Sequence, residues 1–430
     1  MSSTNHVPLS LPLKTKDTLL GRLQNMRFLA LEVFFAVFRY YWRGPEVDSW
    51  DLRFHIIYSA MRQYLAKSLP HDMPNEISAR INFEDIADYI SINNPPLYPL
   101  LPKVGINAEH TISLGLDGSV QYSVPQYRLS NEKLNALAAA DLDSAQQGQP
   151  RSISCQIVVS THAECSEQHK FCELLALTPL EPDERIVLHF HGGAYCVGER
   201  SLTHLQVYAN MSRTTHLRIF SPNYRLAPRH CFPSQLHDCF STYWAILRRG
   251  FKPKNIVLSG DSAGGALALG VMFLLRDMKQ PLPATAVLVS PWVDSTCSGK
   301  SWVTNQQLDY LPSLSLQDPF HPARMFYAPG RPYSEEMLEE LKCPLVSPIF
   351  GDLSGIPPML IQMGRNELLH DDIHDFAVMA KLQNDNDHVK LEVYDNMPHV
   401  FLLFDFADAA QKAFASIGDY VRASFKHNTP

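Results

Sequence analysis

Three residue types in this chain could together perform acyl chemistry: a serine flanked by glycines, a histidine near the C-terminal end and a carboxylate between them. The serine lies in "NIVLSGDSAGGALALGVMFLL", where Gly260-Asp261-Ser262-Ala263-Gly264 fits G-x-S-x-G. An apolar strand-like run precedes it and a helix-forming run follows. A sharp strand-to-helix turn holds such a serine in a strained conformation. Side chains two positions to either side would collide, which is the steric reason for the glycines. The turn lifts the Ser262 oxygen above a sheet and sets it at a helix N-terminus, where free N–H groups favour negative charge.

Attack by a serine on a carbonyl builds negative charge on the carbonyl oxygen. Donors must already point at that position, and losing one costs about 3–4 kcal/mol. Upstream, "LHFHGGAYCVG" places His191-Gly192-Gly193-Ala194 between a strand and a helix. This matches an HGGG-type loop, whose backbone N–H groups join that of the residue after the serine. The expected donors are the N–H groups of Gly193, Ala194 and Ala263, and His191 is expected to be structural.

Serine is a poor nucleophile at its own pKa. It needs a neutral imidazole to take its proton, and that imidazole needs an acid on its other nitrogen. The expected order along the chain is Ser, then Asp or Glu, then His. After "VKLEVYDN" comes "MPHVFLLF", which puts His399 just past a strand end. The acid belongs on the loop after the penultimate strand, where "GRNELLHDD" offers Glu367, Asp371 and Asp372. The two aspartates also suit a helix start, since acids complement the dipole of a first turn. His370 and His374 fall on that helix and are expected to be solvated.

The elements that must hold these residues show as an alternation. "SISCQIVVS", "RIVLHF", "LRIFSP", "NIVLSG", "TAVLVS", "PMLIQM" and "VKLEVY" read as strands. "LTHLQVYANMSRT", "LHDCFSTYWAILRRG", "GGALALGVMFLLRDM" and "DIHDFAVMAKLQ" read as helices between them. Near-continuous apolar strands alternating with helices predict an α/β chain with a mostly parallel sheet covered on both faces. Residues 295–350, rich in proline and aromatics, interrupt the alternation and suit a cap insertion. "NNPPLYPLLPKVG" breaks any helix and sets a boundary. The expected organisation is an N-terminal cap or extension over 1–105 and a catalytic domain over 106–430. "NEKLNALAAADLDSAQQGQPRS" reads as a surface insertion.

"HGGAY", "NYRLAPRHCFPSQLHDC", "GDSAGG" and "SPWVD" resemble, in this order, the hormone-sensitive lipase family of α/β-hydrolases, over about residues 185 to 425. The resemblance implies an α/β-hydrolase fold and a serine esterase acting through an acyl-enzyme, with no metal or organic cofactor. It lays the family's catalytic aspartate over Glu367 and its following acidic pair over Asp371 and Asp372, with Asp371 the alternative acid. His399 matches the family's H-x-F pattern. Asn223, Tyr224, Arg225 and Asp294 would support the loops. Ala194 departs from the usual third glycine: its N–H survives, and its methyl narrows the space beside a substrate. Two other functions share the same frame. One is an acyltransferase with a non-water acceptor; the other is a non-catalytic small-molecule receptor.

Composition bounds the partners. The net charge is −7 over 430 residues, which argues against nucleic acid because no basic stripe is available to neutralise phosphates. The expected partner is an apolar ester or acyl molecule. None of the eight cysteines forms a CxxC pair, so a zinc or redox motif is not expected. No secretory signal is visible, and a cytoplasmic chain is expected. The segment "MRFLALEVFFAVFRYYWRG", residues 26–44, leaves three readings: a helix docked on the core, a membrane-surface contact, or a span. Glu32, Ala36, Arg39 and Arg43 share one stripe of such a helix, and Phe28, Leu31, Phe35, Phe38 and Trp42 face elsewhere. The aromatics of this segment and of 295–350 (Phe34, Phe35, Phe38, Tyr40, Tyr41, Trp42, Trp302, Tyr310, Phe320, Phe326, Tyr327) would line an apolar pocket or pack cap to core.

Overall fold

The apolar runs become strands, and their side chains divide by period 2 between two layers. In the computed structural model, which describes residues 19–68, 106–113, 152–160, 174, 176–198 and 202–426, Val187, Val257 and Val287 face one layer. Leu188, Leu258 and Leu288 face the other. Both faces are therefore dry, which is why these strands read as continuous apolar runs rather than alternating ones.

The strands are β1 Ile106–Ser113, β2 Ser152–Val159, β3 Ile186–Phe190, β4 Arg218–Pro222, β5 Ile256–Asp261, β6 Thr285–Val289, β7 Met359–Gly364 and β8 Val389–Tyr394. They form an 8-stranded sheet in the order β1-β2-β4-β3-β5-β6-β7-β8. β1 pairs antiparallel with β2, and β2 antiparallel with β4. The remaining pairings are parallel. β3 through β7 are buried along their length, whereas the edge strand β8 is mostly half-buried. This is the mostly parallel α/β sheet expected from the alternation, and the α/β-hydrolase fold that the resemblance implies. β1, a largely polar octet, lay outside that reading: its strand state comes from pairing along β2 rather than from its own apolarity.

The helices are α1 Leu19–Arg43, α2 Leu52–Ser68, α3 Leu202–Thr215, α4 Ser234–Arg248, α5 Ala263–Asp277, α6 His370–Gln383 and α7 Asp408–Lys426, with short helical turns at 301–304, 322–327 and 335–341. α4, α5 and α6 cover one face of the sheet. α3 and α7 cover the other, joined by α2 through Phe54, Tyr58 and Met61. Phe54 stacks on Phe404 at 4.3 Å between ring centroids.

All but the last residue of the segment 26–44 falls within α1. Most of its aromatic side chains stay off the core, Tyr40 being half-buried with its ring 5.6 Å from that of His55, while the side chain of Phe28 lies outside the described residues. Ala36 is buried, while Leu31, Phe34, Phe35, Phe38, Tyr41 and Trp42 are exposed. Among the described residues no helix is long and apolar enough to cross a membrane. In 295–350 Tyr310, Phe320, Phe326 and Tyr327 turn inward and are buried, Trp302 is half-buried and Phe350 is exposed; Phe326 stacks on Tyr195 at 3.7 Å.

Candidate active site

Ser262 stands between the end of β5 and the first turn of α5 with φ 52° and ψ −123°, a left-handed backbone that non-glycine residues rarely adopt. The glycines around it are required by close approach. A Cβ on Gly260 would lie 2.3 Å from the Gly264 carbonyl oxygen, and one on Gly264 would lie 2.0 Å from that of Phe190. The turn is pinned on both sides. The Ser262 N–H donates to the Val289 carbonyl at 2.9 Å, and the Ser262 carbonyl accepts the Trp292 N–H at 2.9 Å.

His399 follows β8 and is buried. Its Nε2 is 2.9 Å from Ser262 Oγ. Its Nδ1 is 2.7 Å from Glu367 Oε2. The Val400 N–H donates to Ser290 Oγ at 3.0 Å, which fixes the loop just past the histidine. Glu367 is fully buried, and its Oε1 accepts the Gly364 N–H at 3.0 Å. Burial opposes a charge on the imidazole, but the hydrogen bond and charge of Glu367, with the charges of Asp309 and Asp261, outweigh it. The His399 pKa is raised above the ordinary 6.5.

The other two acids of "GRNELLHDD" turn elsewhere. Asp371 accepts the Ser301 N–H at 3.0 Å and contacts His370 Nδ1 at 3.1 Å. Asp372 is buried and accepts from Trp302 Nε1 at 2.8 Å. Both stand in the first turn of α6, but Asp372 is not a solvated helix start. Nor is His370 freely solvated, with 19% of its side chain exposed against 51% for His374.

The loop after β3 runs beside the serine. A Cβ on Gly192 would lie 3.1 Å from Ser262 Cβ, and one on Gly193, at φ +110°, would lie 2.1 Å from the Val197 carbonyl oxygen. Ala194 and Tyr195 also have positive φ, 53° and 63°. The Gly193 carbonyl accepts the N–H groups of Cys196 and Val197 at 2.9 Å each. Ala263 is the first residue of α5, where a helix has no partner of its own for the N–H. His191 stacks on Tyr224 at 4.2 Å, and the Tyr224 hydroxyl donates to the His191 carbonyl at 2.6 Å. Burial pushes the His191 pKa down to about 3, which suits a neutral, structural ring.

Sequence and fold both match known proteins. The family model described as alpha/beta hydrolase fold matches residues 187–403. The chain belongs to this family. An esterase of Acinetobacter venetianus is 34% identical over 237 residues, covering 55% of this chain and 74% of that one. An acetyl-hydrolase of Streptomyces hygroscopicus is 35% identical over 201 residues, covering 47% of this chain and 63% of that one. A solved esterase from the bacterial hormone-sensitive lipase family superposes with a TM-score of 0.57 at 25% identity, covering 86% of this chain and 98% of its own.

The site of this hydrolase also holds residues that the sequence did not single out. Asp261, the variable position of G-x-S-x-G, is buried under the glycine-rich loop. Its Oδ1 accepts the Gly192 N–H at 3.1 Å and meets His189 Nε2 at 3.0 Å, while Oδ2 meets His204 Nε2 at 3.3 Å. Burial works against its charge, but the neighbouring histidines hold the carboxyl well below the usual range. Asp309 is also buried and touches the backbone of both the acid loop and the histidine loop. Local sequence carried no signal for either. Asp261 occupies a position the motif leaves open, and Asp309 lies 90 positions from His399. Among the residues named as loop supports, Arg225 Nη2 donates to Asp238 Oδ1 at 2.9 Å. Asp294 accepts from the N–H of Thr296 at 2.8 Å and the hydroxyl of Ser298 at 2.6 Å.

Proposed function

We propose that this hydrolase cleaves carboxylic esters through an acyl-enzyme, with Ser262 as nucleophile, His399 as general base and acid, and Glu367 as the orienter of the imidazole. One observation carries the reading: Ser262 Oγ, His399 Nε2, His399 Nδ1 and Glu367 Oε2 form an unbroken chain of contacts at 2.9 and 2.7 Å. His399 takes the serine proton as Oγ attacks the ester carbonyl. The oxyanion is met by the N–H groups of Gly193, Ala194 and Ala263. His399 returns the proton to the leaving alcohol. A water then enters, loses its proton to His399 and releases the acid, restoring Ser262. Glu367 holds the ring in the tautomer with Nδ1–H and stabilises the imidazolium that forms at each step.

The substrate reading is a small apolar ester. Residues 295–350 serve as the cap that bounds its space, a role supported by Tyr310, whose ring centroid is 6.3 Å from that of His399. The test is a screen of ester and acyl-donor libraries with Ser262→Ala as the blank, beside fluorophosphonate labelling. The expected result is ester turnover by the wild type, near-complete loss in the variant, and an adduct on Ser262. Unchanged turnover in the variant removes Ser262 as nucleophile. No adduct and no turnover in the wild type would favour a receptor.

We also propose that α1 rests on an anionic membrane surface. Leu31, Phe34, Phe35, Phe38, Tyr41 and Trp42 recur at three- and four-residue spacing and are all exposed, so they form one apolar stripe. Within α1 the sequence carries Arg22, Arg27, Arg39 and Arg43 against Glu32, in a chain of net charge −7. A basic helix with an aromatic face suits the headgroup region of a negatively charged leaflet. Co-sedimentation with phosphatidylserine-containing vesicles should be lost in Phe34→Ser/Phe38→Ser/Trp42→Ser. Equal sedimentation of the two proteins rejects the surface.

A further inference from the structure

We propose that Asp309, from the 295–350 insertion, is a positioning residue for this reaction: it ties the acid loop to the histidine loop and thereby sets where Glu367 meets His399. The inference rests on the Ser262–His399–Glu367 assignment. Asp309 is fully buried. Its Oδ2 accepts the Leu368 N–H at 2.7 Å. Its Oδ1 accepts the His399 N–H at 3.3 Å and its own turn's Leu311 N–H at 3.4 Å. One carboxylate therefore bridges the residue after the acid and the histidine itself.

The same turn grips the other side of that peptide. Asn305 Nδ2 donates to the Glu367 carbonyl at 2.9 Å and to the Arg365 carbonyl at 3.1 Å. The Asp309 N–H in turn donates to the Asn305 carbonyl at 3.1 Å. Both polar groups of the peptide unit joining Glu367 to Leu368 are thus held by 305–309. A glutamate has one more side-chain torsion than an aspartate, so its carboxylate reaches a given point only if the backbone behind it is placed for that length. Here the placement comes from the insertion. α2 braces the turn from behind: Tyr58 Oη lies 3.1 Å from the Asp309 carbonyl oxygen, and Arg62 donates to the carbonyls of Gln307 at 2.8 Å and Gln306 at 3.0 Å.

The requirement is for a carboxylate rather than an amide, because both oxygens accept N–H groups and an amide nitrogen would oppose one of them. The charge matters as well. Burial pushes the Asp309 carboxyl up to about 6, against the pull of the His399 charge and the Leu368 N–H. The anions facing His399 are Glu367 from the acid loop, Asp309 from the insertion and Asp261 from β5. Removing one of them lowers the pKa of the imidazole.

The test is full-length Asp309→Asn, followed by kcat, KM, the pH profile of kcat/KM and thermal unfolding. The expected result is kcat down about tenfold or more with KM within about twofold, as for an interaction made in the transition state, and an acid limb moved to lower pH. Wild-type kcat with an unmoved limb overturns the proposal. So does a lower kcat that tracks a lower Tm with the limb unmoved, which is the mark of a merely structural residue. If Asp309→Asn does not fold, Asn305→Ser carries the test: kcat several-fold lower at constant KM supports the clamp, and wild-type kcat rejects it. Turnover surviving in Ser262→Ala would instead sink the triad assignment, whatever Asp309→Asn does.

Discussion

Glu367 Oε2 lies 2.7 Å from His399 Nδ1, while the second carboxylate oxygen of Glu367 takes the Gly364 N–H at 3.0 Å. Both oxygens are engaged, so the carboxylate has one orientation and that orientation faces the imidazole. Asp371, four residues on, has its carboxylate on Ser301 instead. Replacing Glu367 by glutamine keeps the shape but brings an amide against the ring nitrogen and favours the wrong tautomer. Glu367→Gln is expected to lower kcat by about 10³–10⁴ with little change in KM, and Asp371→Asn to leave it within about threefold. The two variants, assayed side by side on one ester, check this. A crippled Asp371→Asn beside an active Glu367→Gln would move the acid to Asp371.

The pH dependence follows from the same contact. In the proposed reaction His399 must be neutral to take a proton, and its pKa stands above 6.5. Activity should therefore be lost as pH falls through a value above 6.5, and recovered on raising it. Glu367→Gln removes the anion that holds the proton on the ring, so the limb should move to lower pH in what activity survives. A wild-type limb well below 6.5 would contradict the raised histidine.

Gly193 should tolerate no side chain. Its φ of +110° is one that L residues rarely adopt, and a Cβ there would lie 2.1 Å from the Val197 carbonyl oxygen. The neighbouring atom is backbone, so the loop itself must shift. Gly193→Ala is expected to lower kcat by about 10²–10³ through misplaced oxyanion donors, with near-native far-UV circular dichroism. Ala194→Gly keeps the N–H and relieves a positive φ of 53°, and should stay within about threefold of wild type. Equal losses in both would argue against the loop's donor role.

Asp372 should limit stability at neutral and alkaline pH. Burial, and then the charge of Asp294, push its carboxyl from 3.8 up to about 7. The folded chain then binds more protons than the unfolded one between these values, so the stability contributed by the neutral acid is lost as pH rises from about 4 through about 7. Asparagine can still accept from Trp302 and carries no charge, and the loss of the Gly299 N–H as a partner offsets only part of the gain. Asp372→Asn should raise Tm at pH 8 by a few degrees, on the order of 2 kcal/mol, with a smaller gap at pH 5. Thermal unfolding at the two pH values decides it; a lower Tm at pH 8 would show that the buried acid is stabilised as an anion.

β3 to β7 were legible because a strand buried on both faces cannot avoid being apolar, and the half-buried β8 because its apolar residues alternate with polar ones. β1 was not, because an edge strand takes its conformation from its neighbour's free hydrogen-bonding groups. The aromatic run of α1 was legible as a helix, but not which side of it would be covered. Periodicity describes a stripe and not the surface it meets, and only the packing of α1 puts Ala36 inside and Trp42 outside.

Sequence alone determined the local geometry around Ser262, because the clash that each glycine avoids involves atoms within one turn or one neighbouring strand. It also offered an expected order of serine, acid and histidine and three carboxylates on one loop, of which the family resemblance pointed to Glu367 with Asp371 the alternative. Which of the three meets the imidazole is a matter of ångströms between loops 32 residues apart. No local pattern encodes that distance. The sheet brings the two loops together, and the turn at 305–309 hydrogen-bonds the peptide behind Glu367, so the distance belongs to the tertiary structure.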